Sequence, residues 1–338
     1  MIKEAVILLG GMGTRLLPYT KTVSKEMLPV YDVPAIFLQV KEAYLSGIRK
    51  IIFVVTEHNI NLIKSFFSDD DYLNEFLKDK PDKLKLLDEV NEIINNMEFI
   101  YVLQELKGTY GALYSAKDKI INDNFIVMYG DDLIDSNIPV TKSLIEEFNK
   151  TNKMYITTKK FNYEDLPSTG VVKLKDNYLF DLVKKEDIHD SLVLHGRMLL
   201  NKKIFTIKDK LEKHSNDEYY LTYALLNFKG EVLNYTYNGK YFNLGDKNGY
   251  IKASINYALK KDNDLLNHMY EVIEKLYPIY KEKLNCDGLT ISHNADYAQE
   301  IKHFHIHFIP RYTNDEVKYL SNKNILKDLK EIEKILNN

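Results

Sequence analysis

The chain has no tryptophan and a single cysteine, Cys286. One thiol cannot build an internal disulfide framework, which excludes the disulfide-stapled secreted class and suits a reducing compartment. Long apolar runs are missing as well: no stretch approaches the roughly 20 residues needed to cross a bilayer. Lys3 and Glu4 precede only a short apolar run that ends in glycines, so no signal peptide is read at the start. Excess charge is also absent. The formal net charge is −3 over 338 residues, which excludes a broad nucleic-acid-binding surface and leaves any anion site to be local. These absences lead to the expectation of a cytoplasmic protein with neither a nucleic-acid nor a membrane partner.

Hydrophobic residues make up 45% of the chain, an ordinary share for a globular core. The length allows one large α/β domain plus a small appendage. Residues 2–9 read as a first strand, residues 34–45 as a helix, and residues 51–55 as a second apolar, β-branched strand of the kind buried in a parallel sheet. This rhythm is a βαβ unit. Residues 58–96 are polar and helical in pattern, with Asp69-Asp70-Asp71 as a solvated turn or cap. Strands over 99–103 and 125–129 flank a helix over 112–119. Shorter strands follow over 155–160, 171–174, 180–183, 192–200, 232–237 and 241–242, with a helical stretch over 202–228 and a helix ending near Leu259. The charged segment Lys260-Lys261-Asp262-Asn263-Asp264 is the candidate linker between domains 1–260 and 265–338.

One stretch concentrates chemistry. Residues 9–29 read LGGMGTRLLPYTKTVSKEMLP and follow the apolar run Ala5-Val6-Ile7-Leu8. A buried strand breaking into glycines presents backbone N–H groups to a phosphate. Gly10, Gly11 and Gly13 open that approach, and Arg15 and Lys25 add two cations. The spacing matches neither the Walker loop nor G-x-G-x-x-G. Further on, Gly130-Asp131-Asp132 closes a buried strand, where a hard oxygen ligand suits Mg²⁺.

The glycine loop, Thr14-Arg15 and then Ser24-Lys25-Glu26-Met27-Leu28-Pro29 resemble the signature of the sugar-1-phosphate nucleotidylyltransferases. The Lys-Glu-Met-Leu-Pro form looks most like their bacterial UTP–glucose-1-phosphate uridylyltransferase branch. The resemblance covers residues 1 to about 260. It implies an α/β fold with a Rossmann-like mixed sheet of the nucleotidyltransferase (glycosyltransferase-A-like) type. It also implies transfer of UMP from UTP to glucose 1-phosphate, giving UDP-glucose and pyrophosphate. Arg15 and Lys25 would steady the triphosphate, and Lys185 would grip the sugar phosphate. Leu9, Gly10, Gly11, Gly13, Thr14, Gln104 and Gly108 would line the nucleotide, and Asp132, Gly170 and Lys184 the sugar. Asp131 and Asn243 would hold Mg²⁺. A homo-oligomer is expected.

Two positions depart from the family pattern. Lys184 stands where the family has a Glu that holds sugar hydroxyls, so a donor replaces an acceptor. Asn243 stands where the family has a second metal-binding Asp, so an uncharged amide oxygen takes its place and Mg²⁺ should bind more weakly. An alternative reading is a sugar-nucleotide-binding regulator that lost turnover through these two changes.

Near the end, His303-Phe304-His305-Ile306-His307 alternates strictly, which puts three imidazoles on one face of a strand. Neighbouring same-face positions are roughly 6.5 Å apart, wide for three ligands on one ion. The segment instead resembles half of a histidine-triad nucleotide hydrolase or transferase, making the appendage a small α+β piece. That resemblance makes His305 the nucleophile between His303 and His307, with Asn294 and Gln299 at the phosphate. It leaves open a bifunctional protein or a docking appendage that kept its histidines.

Overall fold

The computed structural model describes residues 2–160, 170–183, 192–261, 263–292 and 307–312. Contacts divide the chain into two compact units, Met1–Ala253 and Ser254–Asn338. In chain order the described strands are β1 (Glu4–Leu8), β2 (Pro29–Val30), β3 (Val33–Pro34), β4 (Lys50–Val55), β5 (Glu98–Leu103), β6 (Asn124–Tyr129), β7 (Asp132–Asp135), β8 (Met154–Lys160), β9 (Val171–Lys175), β10 (Tyr178–Leu182), β11 (Leu192–Asn201), β12 (Val232–Thr236), β13 (Lys240–Asn243), β14 (Gly288–Ser292) and β15 (His307–Arg311).

Nine of these form one mixed sheet in the order β5-β4-β1-β6-β11-β8-β12-β10-β9. The β5-β4-β1-β6 half is parallel, and β11 runs antiparallel to both β6 and β8. The apolar runs explain why this half lies inside. Along β1, Val6 and Leu8 pack with Ile52, Val54 and Leu113 on one face. Ala5 and Ile7 pack with Ile36, Phe37 and Val40 of the helix Ala35–Leu45 on the other. Strands covered on both faces need continuous apolar sequence, and β1 and β4 are buried at every position. Each fully buried Ile or Phe contributes about 1.5–3 kcal/mol.

The order also locates the site. β1 lies between β4 and β6, so the chain leaves β1 towards one edge and later returns on its other side. The carboxyl ends of strands at such a reversal flank a crevice where α/β proteins bind ligands. The glycine loop leaves β1 there, and Asp131 follows β6 there. A second ladder, β7 with β13, runs antiparallel and sets Asn243 opposite Asp132.

The polar stretch 58–96 folds into short helices, Ile60–Phe66, Asp71–Leu77, Pro81–Leu84 and Asp88–Asn95. Asp70 caps the second, its Oδ1 accepting from Leu73 N at 2.9 Å. The helix expected from Ala112 begins earlier, at Thr109. Helices flank Asp262 within the candidate linker 260–264. Lys260 and Lys261 end the helix Lys247–Lys261, and Asn263 and Asp264 begin the helix Asn263–Lys283. The segment holds neither Gly nor Pro, and charged residues without them are compatible with helix ends. Within the second unit, β14 and β15 pair antiparallel from Gly288↔Arg311 to Ser292↔His307. His303, His305, Asn294 and Gln299 lie outside the described residues.

Candidate active site

The loop after β1 is built by its neighbours. Leu9 N donates to Val54 O, and the buried Asn59 donates from Nδ2 to Leu9 O at 2.8 Å. Gly13 adopts φ 64°, the left-handed region where a Cβ is strained. Its carbonyl accepts from Thr20 Oγ1 at 2.8 Å. Thr14 and Arg15 then form a short 3-10 turn with Arg15 exposed.

Lys25 and Asp131 meet across the crevice, Nζ to Oδ2, at 2.6 Å. The Lys25 side chain is 10% exposed and that of Asp131 26%, so the carboxylate stays reachable. Burial works against both charges, but each partner outweighs it. Lys25 is held above the usual lysine value, and Asp131, also beside Arg15, is held below the usual carboxylate value.

Asn243 completes the group. A Cβ placed on Gly245 would lie 2.9 Å from Arg15 Nη2, 2.9 Å from Asn243 Oδ1 and 3.0 Å from Asp131 Oδ2. The two hard oxygens and the guanidinium therefore converge on a space that only glycine leaves open. A carboxylate and an amide oxygen suit Mg²⁺, which takes few protein ligands and keeps waters. The donor set fits the ion. Among the described residues, no cluster of three His, Cys, Asp or Glu side chains could hold a metal alone.

Gln104 and Gly108 line the other side. A Cβ on Gly10 would lie 1.6 Å from Gln104 Oε1, so the amide rests directly on the glycine backbone. Gln104 Nε2 donates to Leu106 O at 2.8 Å, and its Oε1 is buried without a partner. Gly108 has φ 84° and abuts the Tyr219 backbone. Gly170 sits against Thr222. Lys184 and Lys185 lie outside the described residues.

Asp132, expected to line the sugar, is buried in the wall beside Asp131. It is 3% exposed, with Oδ2 accepting from Gly196 N at 2.6 Å and Oδ1 from Tyr241 Oη at 2.7 Å. Burial and the adjacent Asp131 charge push it up to about 6. β11 slips register against β8 between His195 and Met198, and Gly196, whose N–H meets Asp132, lies in this irregular stretch. His195 stacks on Tyr241 with centroids 3.7 Å apart, and burial beside Lys159 and Arg197 lowers it to about 3, so it stays neutral. Asp246 serves as a helix cap, accepting from Gly249 N at 2.8 Å.

Sequence reasoning missed the polar residues beneath the site. Gln39 and Glu42 sit on the buried face of an apolar helix. Glu42 forms an ion pair with Arg197, which is 0% exposed, and also accepts from Thr141. Glu26 is 1% exposed and both its carboxyl oxygens lack a partner. The available signal was a polar side chain inside an apolar run.

With a glycine loop, a cation pair and a hard-oxygen pair at the switch point, the matching family model is decisive. It is described as nucleotidyl transferase and spans residues 4–260. The chain belongs to the nucleotidyl transferase family. A UTP–glucose-1-phosphate uridylyltransferase of Streptococcus pyogenes is 37% identical over 291 residues, covering 80% of this chain and 94% of the relative. A solved UDP-glucose pyrophosphorylase complexed with UDP-glucose is 30% identical with a TM-score of 0.68, covering 77% of this chain and 100% of that one. A UTP-bound UGPase from Acinetobacter baumannii is 28% identical with a TM-score of 0.70, covering 81% of this chain and 99% of that one. In this nucleotidyl transferase Lys25 and Asp131 are already paired in the site.

Proposed function

We propose that the chain transfers UMP from UTP to glucose 1-phosphate, releasing pyrophosphate and forming UDP-glucose. The observation that carries this reading is the convergence of Arg15, Lys25, Asp131 and Asn243 at the carboxyl ends of β1 and β6. The similarity to uridylyltransferases and to UDP-glucose- and UTP-bound structures supports the choice of substrates. A phosphate oxygen of the sugar phosphate attacks the α-phosphorus, and the bond to the β-phosphate oxygen breaks. No protein nucleophile is needed, so catalysis rests on positioning and charge. Arg15 and Lys25 steady the departing pyrophosphate. Gln104, resting on Gly10, offers an uncharged amide to the uracil edge, with the Gly108 backbone beside it.

Asp131 and Asn243 would hold Mg²⁺, which when bound supplies positive charge to the phosphate oxygens. Lys185 grips the sugar phosphate. Asp132 keeps the wall in place. The protein is cytoplasmic and homo-oligomeric in this proposal, with Cys286 a free buried thiol.

Formation of UDP-glucose from UTP and glucose 1-phosphate, with stoichiometric pyrophosphate, tests the reading. Product at rates no higher in the presence than in the absence of enzyme would reject it and favour the binding-regulator alternative.

A further inference from the structure

We propose that Gln39 is the positioning residue that sets the metal site, a role resting on the reading of Asp131 as a metal ligand. β6 ends at Tyr129, and Gly130 and Asp131 make the turn before β7 begins at Asp132. Carbonyls leaving a sheet at a turn lose their ladder partners and need others when buried. Gln39 supplies them. Its two Nε2 hydrogens are shared among Gly130 O at 2.9 Å, Tyr129 O at 3.1 Å and Asp132 O at 3.2 Å. These three carbonyls bracket Asp131 on both sides. Three acceptors around one terminal atom also settle the amide orientation, because an oxygen there would face only other oxygens.

The remaining carbonyl of the turn, Asp131 O, accepts from Leu244 N at 2.7 Å. Leu244 directly follows Asn243 in the chain. The turn bearing one hard-oxygen ligand is therefore pinned from below by Gln39 and tied laterally to the segment bearing the other. Gln39 is 0% exposed on a helix otherwise packed with Ile36, Phe37 and Val40, and its own Oε1 has no partner. A buried amide that leaves an acceptor unmet costs stability relative to an apolar side chain. Its position is accounted for by the carbonyls it holds. Gln39 touches no substrate; it acts through the Asp131 backbone, as outer groups around metal ligands do, where their loss costs roughly 10–100-fold in metal affinity.

The test is Mn²⁺ binding followed by electron paramagnetic resonance on the full chain with UTP present, for wild type, Gln39→Met, Gln39→Asn and Asp131→Asn. Circular dichroism and thermal melts establish folding. Wild type should bind Mn²⁺ and Asp131→Asn should not. Gln39→Met, matched in size but without a donor, should bind about tenfold more weakly or worse. Gln39→Asn, a donor set one methylene short, should fall between. The Mg²⁺ concentration for half-maximal rate should rise in the same order, with KM for UTP at saturating Mg²⁺ within about twofold. Equal Mn²⁺ affinity in folded Gln39→Met and wild type would overturn the inference while leaving Asp131 as ligand. Unfolding of both Gln39 variants would also overturn it, in favour of a purely structural role. Absence of Mn²⁺ binding by wild type would instead withdraw the reading of Asp131 on which the inference stands.

Discussion

Glu26 is a buried carboxyl beside Lys25 whose burial costs folding stability above its ordinary titration range. Burial pushes its carboxyl up to about 7, against an ordinary value of 4.5, and the nearby Lys25 only partly offsets this. Between those two values the folded chain keeps a proton that the unfolded chain has lost. Folding stability from this group therefore falls as pH rises through the window and levels off above about 7. Glu26→Gln should remove that slope, so the gap between variant and wild-type melting temperatures should widen in the variant's favour from pH 5 to 7.5. Parallel curves would refute the assignment. At Arg15, which stands exposed at the mouth of the crevice, Arg15→Ala should lower turnover by about 10²–10³-fold with the fold intact. Wild-type turnover in that variant would remove Arg15 from the mechanism. At Asn243, substitution by Asp adds a charge beside Asp131 and should reduce the Mg²⁺ needed for half-maximal rate. An unchanged Mg²⁺ requirement would show that its amide oxygen is not a ligand.

At the scale of elements, the buried pair Glu42–Arg197 joins the helix Ala35–Leu45 to β11. Arg197 donates to both Glu42 oxygens and to Gly196 O. Removing one partner strands a buried charge, so Arg197→Met should destabilise the fold by about 3–5 kcal/mol in denaturant unfolding. Adding Glu42→Leu should recover much of that loss. A single substitution costing under about 1 kcal/mol would contradict a buried, dry pair. This contact also marks what the sequence could disclose. β1, β4 and β6 were legible to within two residues, because strands buried on both faces carry unbroken apolar runs. The glycine loop and Asp131 were legible because their spacing is local. The partners Gln39–Gly130, Glu42–Arg197 and Asp132–Gly196 were not, since each joins residues some 64 to 155 positions apart. Around 260–264 the described residues are helical on both sides, because charge without Gly or Pro suits helix ends as well as linkers.

At the scale of the molecule, the family match ends at residue 260, and the second unit carries the histidine-rich segment. If that unit takes no part in nucleotidyl transfer, His305→Ala should leave pyrophosphate release unchanged, and a fall of tenfold or more would tie the second unit to that reaction. The crevice of the first unit is where nucleotidyl transfer would take place. Initial rates of pyrophosphate release over a panel of nucleoside triphosphates and sugar 1-phosphates at saturating Mg²⁺ test the proposed reaction most directly. UTP with glucose 1-phosphate should exceed every other pair by about tenfold or more if these are the substrates, and the purine triphosphates by the widest margin if the Gln104 amide and the loop backbone read a pyrimidine edge. Equal or faster release with a purine triphosphate or with dTTP, or with a different sugar phosphate, would contradict it.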